Sequence, residues 1–245
     1  MISVRELKKT LGAQDVLRGI DLEVQRGDTC VILGRSGSGK SVLLKHLIGL
    51  FKPTSGEVWV EGEEISELPE RRLGRIRKKV GMLFQGGALF DSMDVEENIA
   101  FPLREAGIKN PAEIRDRVAE ALEMVDLAGE QKKMPENLSG GMKKRVGLAR
   151  TIVGRPACLL YDEPTTGLDP IASDSINHLI RRLQKRLAVT SVVVTHDMKT
   201  AFHTANRIAF LHEGRIYFHG TADALRASKD SVLLNFIEGR SGEVS

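Results

Sequence analysis

The stretch Gly34-Arg35-Ser36-Gly37-Ser38-Gly39-Lys40-Ser41 fits the phosphate-binding loop pattern G-x-x-x-x-G-K-[ST] at every fixed position. Its glycines let the backbone wrap closely around a polyphosphate, because a Cβ would obstruct the turn or the approach. The amides that follow would point at the phosphates, with Lys40 as the mobile cation and the Ser41 hydroxyl as a ligand for Mg²⁺. The stretch predicts nucleotide binding, and the alternative is a chance glycine-rich turn.

The residues around this loop have the pattern of an α/β fold. Ile20, Leu22 and Val24 alternate with polar residues and predict a half-buried strand. Continuous apolar runs predict strands buried on both faces, and a hairpin and two short helices are expected near the end of the chain. The predicted elements are strands at 29–33, 57–60, 80–84, 157–161 and 189–194, a helix at 41–50, and a hairpin at 207–218.

Residues 87–150 have a different pattern and predict a helical insertion. Asn110 is placed to cap a helix, with Pro111 at its first position and Glu113 placed to complete a capping box. One apolar stripe at helical spacing follows, made of Ile114, Val118, Ala121, Leu122 and Val125. We therefore expect a single domain over 1–245, in which a core with an antiparallel β subdomain (1–86 and 151–245) carries a helical subdomain (87–150).

Two later strands end in residues that suit phosphate chemistry. Asp162 and Glu163 follow a predicted strand, and ligands of open α/β sheets bind at that end of the strands. Asp162 is predicted to hold the Mg²⁺ shell, and Glu163 to orient or deprotonate the attacking water. His196 follows a second strand and is placed to reach the γ-phosphate or that water, although a lone histidine is often only structural. The other five histidines are expected on surfaces.

Composition narrows the class of protein. The chain has 245 residues, 41% of them apolar and 28% charged, which is ordinary for a globular protein. A net charge of +3 is too small to argue for a nucleic-acid partner. No apolar run reaches the roughly 18 residues of a membrane span, and the start has no signal-peptide pattern. Cys30 and Cys158 lie in apolar runs, so we expect buried thiols in a reducing compartment.

In order along the chain, these residues resemble the motifs of ABC-type ATPases, and the resemblance covers nearly the whole chain. Gln85 matches the glutamine of the Q-loop, and Leu138-Ser139-Gly140-Gly141-Met142 matches the family signature. Asp162 and Glu163 match the Walker B aspartate and the catalytic glutamate. Asp169, in Gly167-Leu168-Asp169, matches the D-loop, and His196 matches the switch histidine.

The resemblance implies an ATPase that works with Mg²⁺, held by Ser41, Gln85 and Asp162. It implies a homodimer that sandwiches two ATP molecules head to tail, so that Ser139, Gly140 and Gly141 complete the site of the other copy. Ser139 can itself cap the helix that follows, and an ordinary cap is the alternative role. Many members stack an aromatic side chain on adenine where this chain has Leu11, ahead of Val16, so we expect weaker adenine recognition and some tolerance of GTP.

A narrower resemblance follows Gln85. Residues 86–93 and 98–105, with Met142-Lys143-Lys144-Arg145, are similar to the ATPase of Mla/Mce-type phospholipid transporters. This implies a multispanning inner-membrane permease, a periplasmic MCE-type lipid-binding subunit, a phospholipid cargo, and a peripheral place on the cytoplasmic face of the bacterial inner membrane. Leu89 and Phe90 would then suit a groove for a permease helix, unless they are core of the helical subdomain.

Three alternatives remain open from the sequence. The transporter could carry another cargo, such as an amino acid, a drug or a lipoprotein. The chain could be an ABC ATPase that acts on DNA or ribosomes, or a regulator that binds ATP without turnover. The run Arg71 to Lys79 holds six basic residues in nine and is expected to be a solvated helix face, with attraction to anionic lipid headgroups as the alternative.

Overall fold

A computed structural model describes residues 1–240 of the chain. Within this range the chain forms ten β-strands, nine α-helices and one 3₁₀ turn at Pro135–Asn137. The strands are β1 (Ile2–Leu11), β2 (Gln14–Val24), β3 (Thr29–Leu33), β4 (Ser55–Val60), β5 (Glu63–Glu64), β6 (Val80–Leu83), β7 (Cys158–Asp162), β8 (Thr190–Thr195), β9 (Arg207–His212) and β10 (Arg215–Gly220). The helices are α1 (Lys40–Leu47), α2 (Glu70–Lys79), α3 (Val95–Glu105), α4 (Pro111–Met124), α5 (Gly140–Ile152), α6 (Pro170–Leu187), α7 (Met198–Thr204), α8 (Ala222–Arg226) and α9 (Ser231–Ile237).

The chain divides into two compact units, and the first comprises Met1–Leu68 with the residues from Val192 onward. It contains an antiparallel sheet of order β2-β1-β4-β5 and a second group of strands in the order β10-β9-β3-β8. Strand β3 runs parallel to β9, with Cys30 opposite Arg207, and β9 and β10 form the predicted antiparallel hairpin. Every residue of β3 is buried, as its apolar run predicts.

The second unit, Pro69–Ser191, holds helices α2 to α6 and the parallel strands β6 and β7. Val80 of β6 lies opposite Cys158 of β7, and Leu83 lies opposite Tyr161. The apolar stripe of α4 is buried as predicted. The predicted α/β class with an antiparallel β portion and a helical portion is confirmed.

The end of α1 and the position of a capping box differ from the prediction. Helix α1 ends at Leu47 and not at 50, because Gly49 turns out of the helix with φ +64° and Leu50 is exposed. The Asn110 side chain accepts a hydrogen bond from Ala112 N, while Glu113 pairs with Arg117 at 2.7 Å, so no capping box forms there. The capping box lies instead at the start of α3, between Asp94 and Glu97.

The expectation that the remaining histidines lie on surfaces is wrong for His46. Its side chain is buried, and its Nδ1 donates to the Val42 carbonyl at 2.8 Å on the preceding turn of α1. Burial lowers the pKa of His46 below the usual histidine value. Cys30 and Cys158 are both buried, as expected, and burial raises the pKa of the Cys30 thiol to about 12. Among residues 1–240, none of the helices has the length and apolar character needed to cross a membrane.

Candidate active site

The phosphate loop connects β3 to α1 in the first unit. The Lys40 side chain is buried against the loop, where its Nζ donates to the carbonyls of Gly34 at 2.9 Å and Arg35 at 3.0 Å. Arg35 and Ser36 are exposed at the outer edge, and Ser41 stands in the first turn of α1. The loop therefore holds a cation and the start of a helix at one place, the arrangement that binds phosphate.

Two glycines of the loop would be strained by a side chain. A Cβ on Gly34 would lie 2.6 Å from the Leu211 carbonyl oxygen and 2.7 Å from Ser38 Oγ. Gly39 has φ +100°, and a Cβ there would lie 3.0 Å from Val16 Cγ1. Ser38 Oγ is buried without a hydrogen-bond partner among residues 1–240. A buried hydroxyl of this kind favours a polar ligand at the loop.

The two residues predicted to face adenine also belong to the first unit. Val16 is half-buried beside the phosphate loop, since its Cγ1 would lie 3.0 Å from a Cβ added at Gly39. Leu11 is 40% exposed at the end of β1, where it pairs with Gln14 across the β1–β2 turn. Only Val16 is thus brought against the loop, and Leu11 stands out into solvent.

The two acids lie in the second unit at the end of β7. Asp162 is the last residue of the strand, and Asp162 and Glu163 are both buried. Glu163 has φ +47°, a left-handed conformation that is unusual for a residue other than glycine. Thr166 holds the turn, since its amide donates to the Glu163 carbonyl at 3.2 Å and its Oγ1 donates to Glu163 Oε2 at 3.3 Å. Backbone strain of this kind concentrates at functional sites.

Gln85 is exposed just beyond β6, and its main chain is held by a residue that the sequence analysis did not assign to the site. The buried Lys144 of α5 donates from Nζ to the Gln85 carbonyl and, at 3.4 Å, to the Glu163 carbonyl. Burial lowers the pKa of Lys144, and the charges of Asp162 and Glu163 oppose that effect. The sequence did contain a signal for the burial of Lys144. It stands four residues before Leu148 and eight before Ile152, the helical spacing that places all three on the buried face of α5.

The signature serine caps a helix in the second unit. Ser139 Oγ accepts from the Met142 amide at 3.3 Å, and α5 begins at Gly140. Ser139 and Gly140 are exposed and Gly141 is half-buried, so the helix start is accessible. The ordinary cap and the anion-binding role are compatible, because one hydroxyl satisfies one amide and leaves the helix dipole in place.

Two more predicted residues stand at helix starts. The Asp169 carboxylate caps α6, accepting from the amides of Ile171 and Ala172 at 2.9 Å each. His196 is exposed between β8 and α7 in the first unit, next to Asp197, whose carboxylate caps α7. The turn that presents His196 is therefore fixed by its neighbour.

A family model described as "ABC transporter" matches residues 17–166. The chain is 40% identical, over 98% of its length and 69% of the relative, to the probable ribonucleotide transport ATP-binding protein mkl of Mycobacterium leprae. It is 39% identical to the methionine import ATP-binding protein MetN of Mesorhizobium japonicum, over 98% of this chain and 65% of that relative.

Solved structures agree with the sequence relatives. The ATP-binding cassette MJ0796, a dimer in a post-hydrolysis state bound to ADP and Pi, superposes with a TM-score of 0.83 at 32% identity, covering 90% of this chain and 98% of that one. The cbiO1 subunit of the Clostridium perfringens cbiONQ transporter gives 0.85 at 31% identity, covering 96% and 94%. A phosphate loop, two acids at a strand end and a signature helix thus occur on the fold of known cassettes, and the chain belongs to the ABC transporter family as an ATP-binding, ATP-hydrolysing subunit.

Proposed function

We propose that Lys40, Glu163 and His196 carry out the hydrolysis of ATP. The observation that supports this most directly is the strained, buried Glu163 at the end of β7, whose carboxylate is oriented by the Thr166 hydroxyl. Lys40 neutralises phosphate charge in its loop, Glu163 orients or deprotonates the attacking water, and His196 contacts the γ-phosphate or that water. Hydrolysis is an in-line displacement, so most of the rate comes from positioning and charge neutralisation.

Residues 34–41 would hold the phosphates, with Leu11 and Val16 toward the base. Ser41, Gln85 and Asp162 would hold Mg²⁺, and Asp169 belongs to the nucleotide set through the D-loop. A hydroxyl, an amide oxygen and a carboxylate are the oxygen donors that Mg²⁺ prefers, so these residues fit the ion by chemistry. When bound, Mg²⁺ neutralises charge on the phosphates.

The role of Glu163 is tested by replacing Glu163 with Gln. The variant keeps the size of the side chain and loses the base, so we expect ATP binding to persist while turnover falls by about 100-fold or more. Turnover is measured as phosphate release, and binding with a fluorescent ATP analogue. Glu213→Gln, on the turn between β9 and β10, is the matched control and should keep full turnover. A fully active Glu163→Gln protein would show that the base is another group.

We further propose that the chain works as a homodimer with a multispanning permease, on the cytoplasmic face of a bacterial inner membrane and without a nucleic-acid partner. The dimeric neighbour MJ0796 supports the homodimer, and the accessible Ser139 and Gly140 would then complete the ATP site of the other copy. ATP would close the dimer and hydrolysis would reopen it. The division of the domain into a core (1–86 and 151–245) and a helical subdomain (87–150) stays a prediction.

A candidate permease surface lies just after Gln85. Phe90 is 40% exposed, contacts Phe101 at 4.9 Å between ring centroids, and lies under the Arg150 guanidinium at 5.6 Å. The buried Asn98 holds the loop, since it accepts from the Phe90 amide and donates to the Phe90 carbonyl. A rigidly held, exposed aromatic ring suits docking of an apolar partner helix. This supports the permease and leaves its cargo open.

The names of the relatives favour another cargo over phospholipid. One relative is named for ribonucleotide transport and another for methionine import, so we propose a small polar cargo as the leading candidate. Phospholipid remains the second candidate, because the segment 86–105 that resembles the Mla/Mce group has the exposed Phe90 described above. The periplasmic MCE-type subunit belongs with the second candidate alone.

The cargo is tested by purifying the tagged protein from its native membranes in mild detergent, with mass spectrometry of proteins and lipids. A permease with a solute-binding protein would support a small polar cargo. A permease with a single-span lipid-binding subunit and bound phospholipid would support the second candidate. Recovery of ribosomes or DNA, with no permease, would contradict the transport proposal and leave the ATPase assignment intact.

A further inference from the structure

Helix α5 fastens the segment that carries Gln85 at several successive turns. Thr151 Oγ1 donates to the Gly147 carbonyl of its own helix at 2.8 Å and lies 3.4 Å from the Met82 carbonyl oxygen. An Arg150 guanidinium nitrogen donates to the Gly87 carbonyl at 2.9 Å. Gly147 sits so close to this segment that a Cβ would lie 3.0 Å from the Gly87 carbonyl oxygen. One turn nearer the signature, Lys144 makes the bond to Gln85.

Lys144 differs from these other contacts because it has two partners far apart in the chain. Its ammonium donates to the carbonyl of Gln85, which follows β6, and to the carbonyl of Glu163, which follows β7. A buried ammonium is costly unless it is paired, and here two carbonyl oxygens and the nearby charges of Asp162 and Glu163 compensate for burial. Its position therefore links the main chains of the two residues.

The Glu163 end of this link is the strained one. A non-glycine residue at φ +47° persists only where its surroundings hold it, and the Glu163 carbonyl receives bonds from both the Thr166 amide and Lys144. The Glu163 side chain is attached to this strained backbone, so the direction of its carboxylate depends on the backbone conformation. Loss of Lys144 removes one of the two bonds.

We propose that Lys144 is a positioning residue for ATP hydrolysis, which ties the main chain of Gln85 to that of Glu163 and so sets where their side chains stand around the nucleotide. This inference rests on the proposed roles of Gln85 and Glu163. Lys144 lies on α5 one turn after the signature glycines. A movement of α5 would therefore displace the main chains of both Gln85 and Glu163.

The test compares Lys144→Met, Lys144→Gln and Lys144→Arg with wild type. Methionine fills the space without a donor, glutamine keeps a donor amide, and arginine keeps the charge. We expect kcat to fall by about 10- to 100-fold in Lys144→Met, because small displacements of reacting groups are costly, and to recover partly in Lys144→Arg. Affinity for a fluorescent ATP analogue should change less than threefold, since the phosphate loop is untouched.

Thr151→Val is the matched control, because it removes a hydroxyl that the same helix places against the same segment, near Met82 and away from Gln85. It should keep kcat within about twofold, whatever its effect on the melting temperature. Wild-type kcat in Lys144→Met, which has no donor, would overturn the proposal. The proposal would also be overturned if kcat fell only in proportion to losses of melting temperature and nucleotide affinity, because Lys144 would then have a purely structural role. Full activity of Glu163→Gln would instead contradict the proposed catalytic role of Glu163, on which the inference about Lys144 rests.

Discussion

Leu11 is the residue at which this chain departs most clearly from the family pattern. Its side chain is 40% exposed and offers no π-face to a base. A stacked aromatic ring contributes roughly 1–3 kcal/mol per base, so we expect Leu11→Tyr to tighten ATP binding by an amount in that range, and GTP binding as well, since every base has a π-face. Isothermal titration calorimetry with both nucleotides checks this.

The control for Leu11→Tyr is Leu50→Tyr, at another exposed leucine of the first unit. It adds the same ring beyond the C-terminal end of α1, away from the phosphate loop at the start of that helix, and should leave both affinities unchanged. If ATP affinity in Leu11→Tyr equals that of wild type, position 11 does not face adenine, and the base is recognised elsewhere on the chain.

Among the elements of the second unit, one carboxylate joins three helices. Asp126, just after α4, accepts from Arg145 of α5 at 2.6 Å and from Arg182 of α6 at 2.7 Å. Partial burial raises the pKa of Asp126, but the hydrogen bonds from Arg182 and Arg145 outweigh that effect and hold it below its usual value of 3.8. The folded state therefore binds this proton less readily than the unfolded chain.

Asp126→Asn should accordingly lower the free energy of unfolding by about 0.5–1 kcal/mol at pH 7, a small effect because half of the side chain is exposed. A carboxylate whose pKa is lowered by folding stabilises the folded state at pH values above its unfolded pKa. This stabilisation is lost as the pH falls through the folded pKa. The difference between variant and wild type in urea unfolding should therefore shrink below about pH 4. Asp223→Asn, almost fully exposed, should show no difference at either pH. A variant as stable as wild type at pH 7 would mean that the arginines pair adequately without the charge.

At the scale of the whole molecule, the proposed function needs two copies of the chain. The signature start at Ser139 and Gly140 is accessible, as it must be if it completes the ATP site of another copy. Because Glu163→Gln is expected to bind ATP without turnover, it should form a stable dimer with ATP and Mg²⁺ and remain monomeric with ADP. Light scattering after size exclusion measures the mass. A monomer at saturating ATP would contradict the head-to-tail dimer.

Much of the site follows from local sequence, because its motifs need only a strand, a tight turn and a helix in succession. The loop at 34–41 and the acids after β7 are of this kind, and so are the signature cap and the buried stripe of α4. Local periodicity and turn chemistry also account for the α/β class. The boundaries near Leu50 and Phe84 were less accurate, since competing caps decide where an element ends.

Only the tertiary structure decided which distant residues support those motifs. The bonds from Lys144 to Gln85 and Glu163 span 59 and 19 residues, and no periodicity encodes such pairs. The left-handed Glu163 and the burial of His46 likewise depend on neighbours that packing brings close. The sequence by itself determined the elements, the nucleotide chemistry and the family. Packing decided how the main chains of Gln85 and Glu163 are held, because a buried donor forms hydrogen bonds with the carbonyl oxygens that the fold places within reach.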